Sequence, residues 1–174
     1  MGDFFRMLLD KLHELWPIRV IDAGCQGVWY KQNGTAKCLK PGWHFFIPKA
    51  QRIEEVNVQY QNVDAGLQSL TTKDGKEITL SLNIGYSISD AATLWTSFQH
   101  FDSSIVNMAR GHAAEIVCES DWAELASDPQ SLGQEIQEAL QEDVESLGVR
   151  IEDVTADQLS RARTYRLLQS QTAF

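Results

Sequence analysis

From Ile78 to Ile88 the chain alternates without a slip, setting Ile78, Leu80, Leu82, Ile84, Tyr86 and Ile88 against Thr79, Ser81, Asn83, Gly85 and Ser87. A period of two predicts a long strand with one buried face. Lys73-Asp74-Gly75 ahead of it carries turn chemistry, and Asp90 behind it is placed to cap a helix. Helical spacing then takes over. Leu94, Trp95 and Phe98 predict a short helix opened by Asp90. Ile105, Val106, Ala109, Ala113, Ile116 and Val117 share one face of a longer helix, for which Asp102 is the expected cap. Asp128-Pro129 supplies an N-cap and a first-turn proline for a third stripe, Leu132, Ile136, Leu140, Val144 and Leu147, which Gly148 stops. A last helix is expected to open near Asp157 and to carry Tyr165, Leu167 and Leu168.

The N-terminal stretch has a helical stripe of its own. Phe4, Phe5, Leu8, Leu9, Leu12, Leu15 and Trp16 recur at helical spacing, Asp3, Arg6, Asp10, Lys11 and Glu14 lie mostly opposite, and Pro17 closes the helix. About 14 helical residues span only ~21 Å against a hydrocarbon core of ~30 Å, so this segment does not cross a bilayer. Two placements remain open for it: in the membrane interface, with its aromatics among the headgroups, or packed on the sheet or on another subunit. The start, MGDFF, lacks the basic and apolar regions of a secretory signal. Arg6 stands where a myristoylation signal after Gly2 requires Ser or Thr.

At 174 residues and 43% hydrophobic, with five Trp, seven Phe and four Tyr, the chain has material for one core and too little for two large ones. Three cysteines without a C-x-x-C spacing point to no disulfide framework. A two-residue turn at Asn33-Gly34 sets Cys38 opposite Trp29 and Cys25 opposite Gly42, so those two thiols are not expected to join.

Charge is unevenly spread. Residues 111–158 hold one Lys/Arg and thirteen Asp/Glu, whereas residues 159–174 hold three basic side chains and no acidic ones. With a pI near 4.8, nucleic acid is excluded as a partner, because phosphate binding needs a basic surface. The strip of Glu135, Glu138 and Glu142 reads either as a solvated face or as one half of a head-to-tail contact with Arg161, Arg163 and Arg166 of a like subunit.

Candidate chemistry is sparse. His13, His44, His100 and His112 stand at no ligand spacing to one another or to a cysteine, and no H-E-x-x-H, P-loop or G-x-S-x-G occurs. No catalytic residue, metal site or cofactor is expected. His100 and Asp102 sit at a helix junction, where capping explains them better than an acid–base pair.

Several short motifs in order resemble the SPFH, or band-7, superfamily of stomatins, prohibitins, flotillins and HflK/HflC-type proteins. They are Gly24-x-x-Gly27-Val28, Pro41-Gly42-Trp43-His44-Phe45-Phe46-Ile47-Pro48, a strand at Val56-Asn57-Val58, Thr71-Thr72-Lys73-Asp74-Gly75, Tyr86-Ser87-Ile88-Ser89-Asp90, Ala109-Arg110-Gly111 and the strand Leu147 to Val154. The resemblance implies an α+β fold: a mostly antiparallel twisted sheet covered by helices. Its expected organisation is an amphipathic membrane-proximal helix at 1–17, the SPFH domain at 18–155 and a C-terminal helix at 156–174. The usual transmembrane segment and long coiled coil are not seen in this chain, and Thr155 to Leu159 lacks the family's proline. His44 is expected to be a satisfied core histidine.

The resemblance makes the N-terminal end the membrane end, with Phe4, Phe5, Leu8, Leu9, Leu12 and Trp16 as contact candidates. It offers Trp43 and Phe45 an interfacial role too, although the residues themselves favour aromatics filling both sides of a helix-covered sheet. It also implies lateral homo-oligomers. Two functions follow: a non-enzymatic, peripheral, cytoplasmic-side membrane scaffold that organises a membrane patch or regulates a membrane protein such as a protease; or a soluble interaction module that binds another SPFH assembly.

Overall fold

The computed structural model describes residues 17–31, 35–47, 51–98 and 100–161. The elements in order are β1 (Ile18–Ile21), β2 (Cys25–Lys31), β3 (Ala36–Leu39), β4 (Gly42–Phe45), β5 (Gln51–Asn57), β6 (Gln61–Thr71), β7 (Glu77–Ile88), α1 (Ala91–Ser97), α2 (Phe101–Glu119), α3 (Trp122–Ser127), α4 (Pro129–Val144), a 3₁₀ turn (Glu145–Leu147) and β8 (Val149–Arg161). The strands form three antiparallel sheets, β1–β4, β3–β2–β5 and β6–β7–β8. This is the α+β architecture expected from the sequence.

The alternation that predicted β7 has its cause in the core. Ile78, Leu80, Leu82, Ile84, Tyr86 and Ile88 are all buried, and α2 and α4 close over them with Ile105, Ala109, Ala113 and Val117 from one helix and Leu132, Ile136, Leu140 and Val144 from the other. Each large aliphatic side chain removed from water in this way contributes roughly 1.5–3 kcal/mol. Asp90 caps α1 through the Ala92 and Thr93 amides, and Asp128 caps α4 through Gln130 and Ser131. Asp102 does not cap α2. His100 holds that position without a side-chain bond, and the Asp102 carboxylate instead accepts from the Tyr86 hydroxyl at 2.6 Å, because the first turn of α2 faces the sheet.

β6 and β8 carry bulges, and each bulge reverses which residues face inward. In β6 the register shifts between Asp64 and Leu67, so Val63 faces the core as the partner of Ile84, Leu70 as that of Ile78, and Leu67 is turned out at 66% exposure. Gly66, at φ +67°, takes the left-handed conformation there. Its amide bonds the Asp64 carboxylate at 2.7 Å, while Arg110 of α2 donates from Nε to the Ala65 carbonyl at 2.8 Å and again from Nη2.

In β8 the inward series runs Val149, Ile151, Val154, Ala156 and Leu159, with extra residues at Glu152 and Asp157. Steps of two and three imitate helical spacing. The C-terminal helix expected from 156 is therefore corrected at its start: residues 156–161 complete β8, held by pairing of Arg161 with Ile78. Tyr165, Leu167, Leu168 and the rest of that segment lie outside the described residues.

The β2–β3 register also differs from expectation. Tyr30 pairs with Ala36 and Val28 with Cys38, so an odd number of residues joins the strands and the two-residue turn is excluded. Cys25 pairs across to Asn57 in β5, and the three thiols are free.

Candidate functional surface

Pro17 opens the ribbon β1–β4, its carbonyl accepting from the Phe46 amide at 2.9 Å. Ile18 lies opposite Phe45, and Val20 opposite Trp43. Pairs directly across a two-stranded ribbon share a face, so these four side chains form one apolar surface, and Ile47 continues it by alternation. Nothing in the described structure covers it. Trp43 is 75% exposed, Phe45 79%, Ile47 63% and Val20 44%. The expectation that these aromatics fill the two sides of a covered sheet is not met among the described residues, where no helix packs over Trp43 and Phe45.

The other side of the ribbon holds it in place. Ile21 is buried over Gly27 of β2, where any side chain would collide with its Cδ1 atom, and Arg19 Nε meets Glu55 Oε1 at 3.4 Å. His44 donates from Nε2 to the Lys40 carbonyl at 2.7 Å. It is satisfied as expected, but it is half-buried at the ribbon and not in the core. Residues 17–56 contain six Lys/Arg and three Asp/Glu, opposite in balance to the acidic helical block. Phe4, Phe5, Leu8, Leu9, Leu12 and Trp16 lie outside the described residues.

Glu135, Glu138 and Glu142 are exposed on α4. The opposite side of that helix seals the edge of β8: Gln137 donates to the Glu152 carbonyl at 3.0 Å, and Gln141 accepts from the Ile151 amide at 2.8 Å. Arg161 is exposed at the far end of β8, beside Ile78, and makes no ion pair with the acidic strip. Arg163 and Arg166 lie outside the described residues.

A cleft of about 340 Å³ between β5, β7, α1 and α2 is lined by Val56, Ile88, Leu94, Trp95, Phe98 and Phe101. At its rim, burial and the Asp102 carboxylate push the Tyr86 phenol up, so the pair is a fixed hydrogen bond and not a proton relay. His100 also borders the cleft, but Asp102 is already engaged by Tyr86. At the β3–α1 junction, Cys38 Sγ lies 3.0 Å from Asp90 Oδ1 and receives the Ala92 amide at 3.1 Å. Burial, and after it the hydrogen bond to Asp90, raises the Cys38 thiol, which opposes thiolate chemistry. Among the described residues no group of three or more His, Cys, Asp or Glu is arranged to hold a metal.

Sequence reasoning missed Val20 and Ile47 as members of the exposed face. The signal was present in the alternation of Ile18 with Val20 and of Trp43, Phe45 and Ile47, but alternation alone does not reveal that the shared face is uncovered.

No helix among the described residues is long and apolar enough to cross a membrane. An uncharacterized protein of Methanocaldococcus jannaschii is 22% identical over 133 residues, 76% of this chain and 67% of that protein. Protein HflC of Buchnera aphidicola subsp. Baizongia pistaciae is 31% identical over 68 residues, 39% of this chain and 21% of that protein. The match to HflC thus spans about a fifth of its length. The model of the SPFH domain / Band 7 family matches residues 19–166, most of the chain, in agreement with the motif order and the α+β fold. The chain belongs to the SPFH domain / Band 7 family.

Proposed function

We propose that this domain is a non-enzymatic scaffold that docks peripherally on the cytoplasmic side of a membrane through the apolar face of the β1–β4 ribbon and the stripe of Phe4, Phe5, Leu8, Leu9, Leu12 and Trp16. The single observation that carries this reading is the exposure of Trp43 and Phe45 on one ribbon face. Aromatic side chains bury about 150–250 Å² each, so covering these two removes on the order of 300 Å² from water, about 7 kcal/mol before the costs of association. The basic balance of residues 17–56 supports approach to anionic headgroups, and the acidic helical block points the rest of the domain away from them.

Lateral assembly follows from charge: Glu135, Glu138 and Glu142 of one copy meet Arg161, Arg163 and Arg166 of the next. The assembly organises a membrane patch or regulates a membrane protein such as a protease, by contact and exclusion.

The test is co-flotation with anionic liposomes, together with particle mass by light scattering. Wild type is expected to float and to form discrete high-order particles, and Trp43→Ser with Phe45→Ser to lose flotation while remaining folded. A wild-type monomer that ignores lipid would overturn the scaffold and leave the soluble module that binds another SPFH assembly.

A further inference from the structure

The ribbon face is large for a surface left in water, and the chain itself brings a candidate cover to its edge. Residues 1–16 join the described fold at Pro17, which is bonded to Phe46 beside Phe45 and Ile47. The segment carries Phe4, Phe5, Leu8, Leu9, Leu12, Leu15 and Trp16 along one helical stripe and Asp3, Arg6, Asp10, Lys11 and Glu14 mostly on the other side. A helix from Phe4 to Leu15 would be about 18 Å long at 1.5 Å per residue, and the ribbon's four residue pairs extend about 13 Å, so one such helix would span the face. Pro17 disfavours helical backbone at Trp16, so a chain reversal would cost least at Trp16-Pro17. Joined directly to the patch, the segment is present at an effective concentration in the millimolar range, well above that of a second copy in dilute solution. Its three acidic against two basic side chains also suit the exposed Lys40 beside the ribbon.

We propose that, off the membrane, the apolar stripe of residues 4–16 folds back on Val20, Trp43, Phe45 and Ile47, and that a lipid surface displaces it. The occupant of the ribbon face is thus a segment of the same chain, and docking becomes a competition between that segment and lipid. This rests on the membrane reading of the ribbon and adds its regulation. Lipid gains two apolar surfaces when the pair separates, the ribbon and the stripe, so uncovering and insertion are coupled.

Hydroxyl-radical footprinting of the full chain in lipid-free buffer, with mass-spectrometric readout at single residues, tests the cover without reference to membrane binding. The variant is Leu8→Glu with Leu12→Glu, one turn apart on the stripe and outside the described core. Trp95, 47% exposed, and Leu67, 66% exposed, serve as references for an intact fold. Labelling follows exposed area. If a cover leaves about a fifth of Trp43 accessible, its labelling in wild type is roughly fourfold below that in the variant, and Phe45 behaves alike.

Equal, high labelling of Trp43 in both proteins would overturn the proposal. Protection that persists in the variant would also overturn it, and if lost on dilution would assign the cover to a second copy. Absence of liposome flotation by wild type would instead remove the membrane reading, whatever the footprint shows.

Discussion

Replacing Gly133 by alanine tests how closely α4 approaches the sheet. A Cβ built at Gly133 falls 2.5 Å from the Val154 carbonyl oxygen and 3.5 Å from its carbon. An ordinary C···O contact needs about 3.3 Å, so the helix has to lift by roughly 0.8 Å along its first turns. Backbone is what it meets, so no side chain can swing aside. Lifting α4 loosens Leu132 and Ile136, which are 1% and 0% exposed, and strains the Gln137 bond to the β8 edge. Overpacking of this kind costs about 1–3 kcal/mol, whereas alanine in place of glycine inside a helix returns about 1 kcal/mol. The net expectation is a loss of up to about 2 kcal/mol, a fall in Tm of up to roughly 8 °C for a domain of this size.

Gly111 in α2 is the internal control: a Cβ there meets nothing within 4 Å, so Gly111→Ala keeps only the propensity gain and is expected to stabilise by up to about 1 kcal/mol. Urea denaturation followed by circular dichroism reads both. A Gly133→Ala protein stabilised as much as Gly111→Ala would refute the close packing of α4 on Val154.

Other consequences can be checked separately. Arg110→Ala leaves the Ala65 carbonyl in the β6 bulge without its charged donor and is expected to cost about 1–3 kcal/mol, with faster amide exchange around Asp64 to Leu67. Asp74, held near pKa 2 by its bonds from Lys76 and Thr72, against an ordinary 3.8, binds fewer protons folded than unfolded across that interval. Asp90 is shifted in the same direction by the Cys38 thiol and then the Thr93 hydroxyl. The Asp74 contribution is therefore present above its unfolded value and is lost as pH falls toward 2, the Asp90 contribution is lost in the same direction, and Asp74→Asn should flatten that limb of a Tm-versus-pH curve. Cys38, exposed but with its thiol raised by burial and Asp90, should react with iodoacetamide at pH 8 more slowly than Cys118, which is also exposed; the reverse order would contradict the Asp90 contact. Asp90→Ala should remove the α1 cap, cost about 1 kcal/mol and speed alkylation of Cys38.

Features that depend on neighbours along the chain could be read from the residues alone. The caps at Asp90 and Asp128, the turn at Lys73-Asp74-Gly75, the stripes of α2 and α4 and the whole of β7 were legible, because each is a local pattern with one physical cause. β7 was the clearest because its partners bulge and it does not. β6 and the second half of β8 were not legible, since a bulge exists only relative to the strand beside it. The extra residues at Glu152 and Asp157 shift the inward series and make a strand look helical, and the one near Ala65 sends Leu67 into solvent.

The same distinction governs the candidate surface. Alternation establishes that Trp43, Phe45 and Ile47 share a face, but a shared face is buried only if another element lies over it. That depends on packing between distant elements: among the described residues α1, α2 and α4 lie on the two larger sheets, and Trp43 and Phe45 stay exposed.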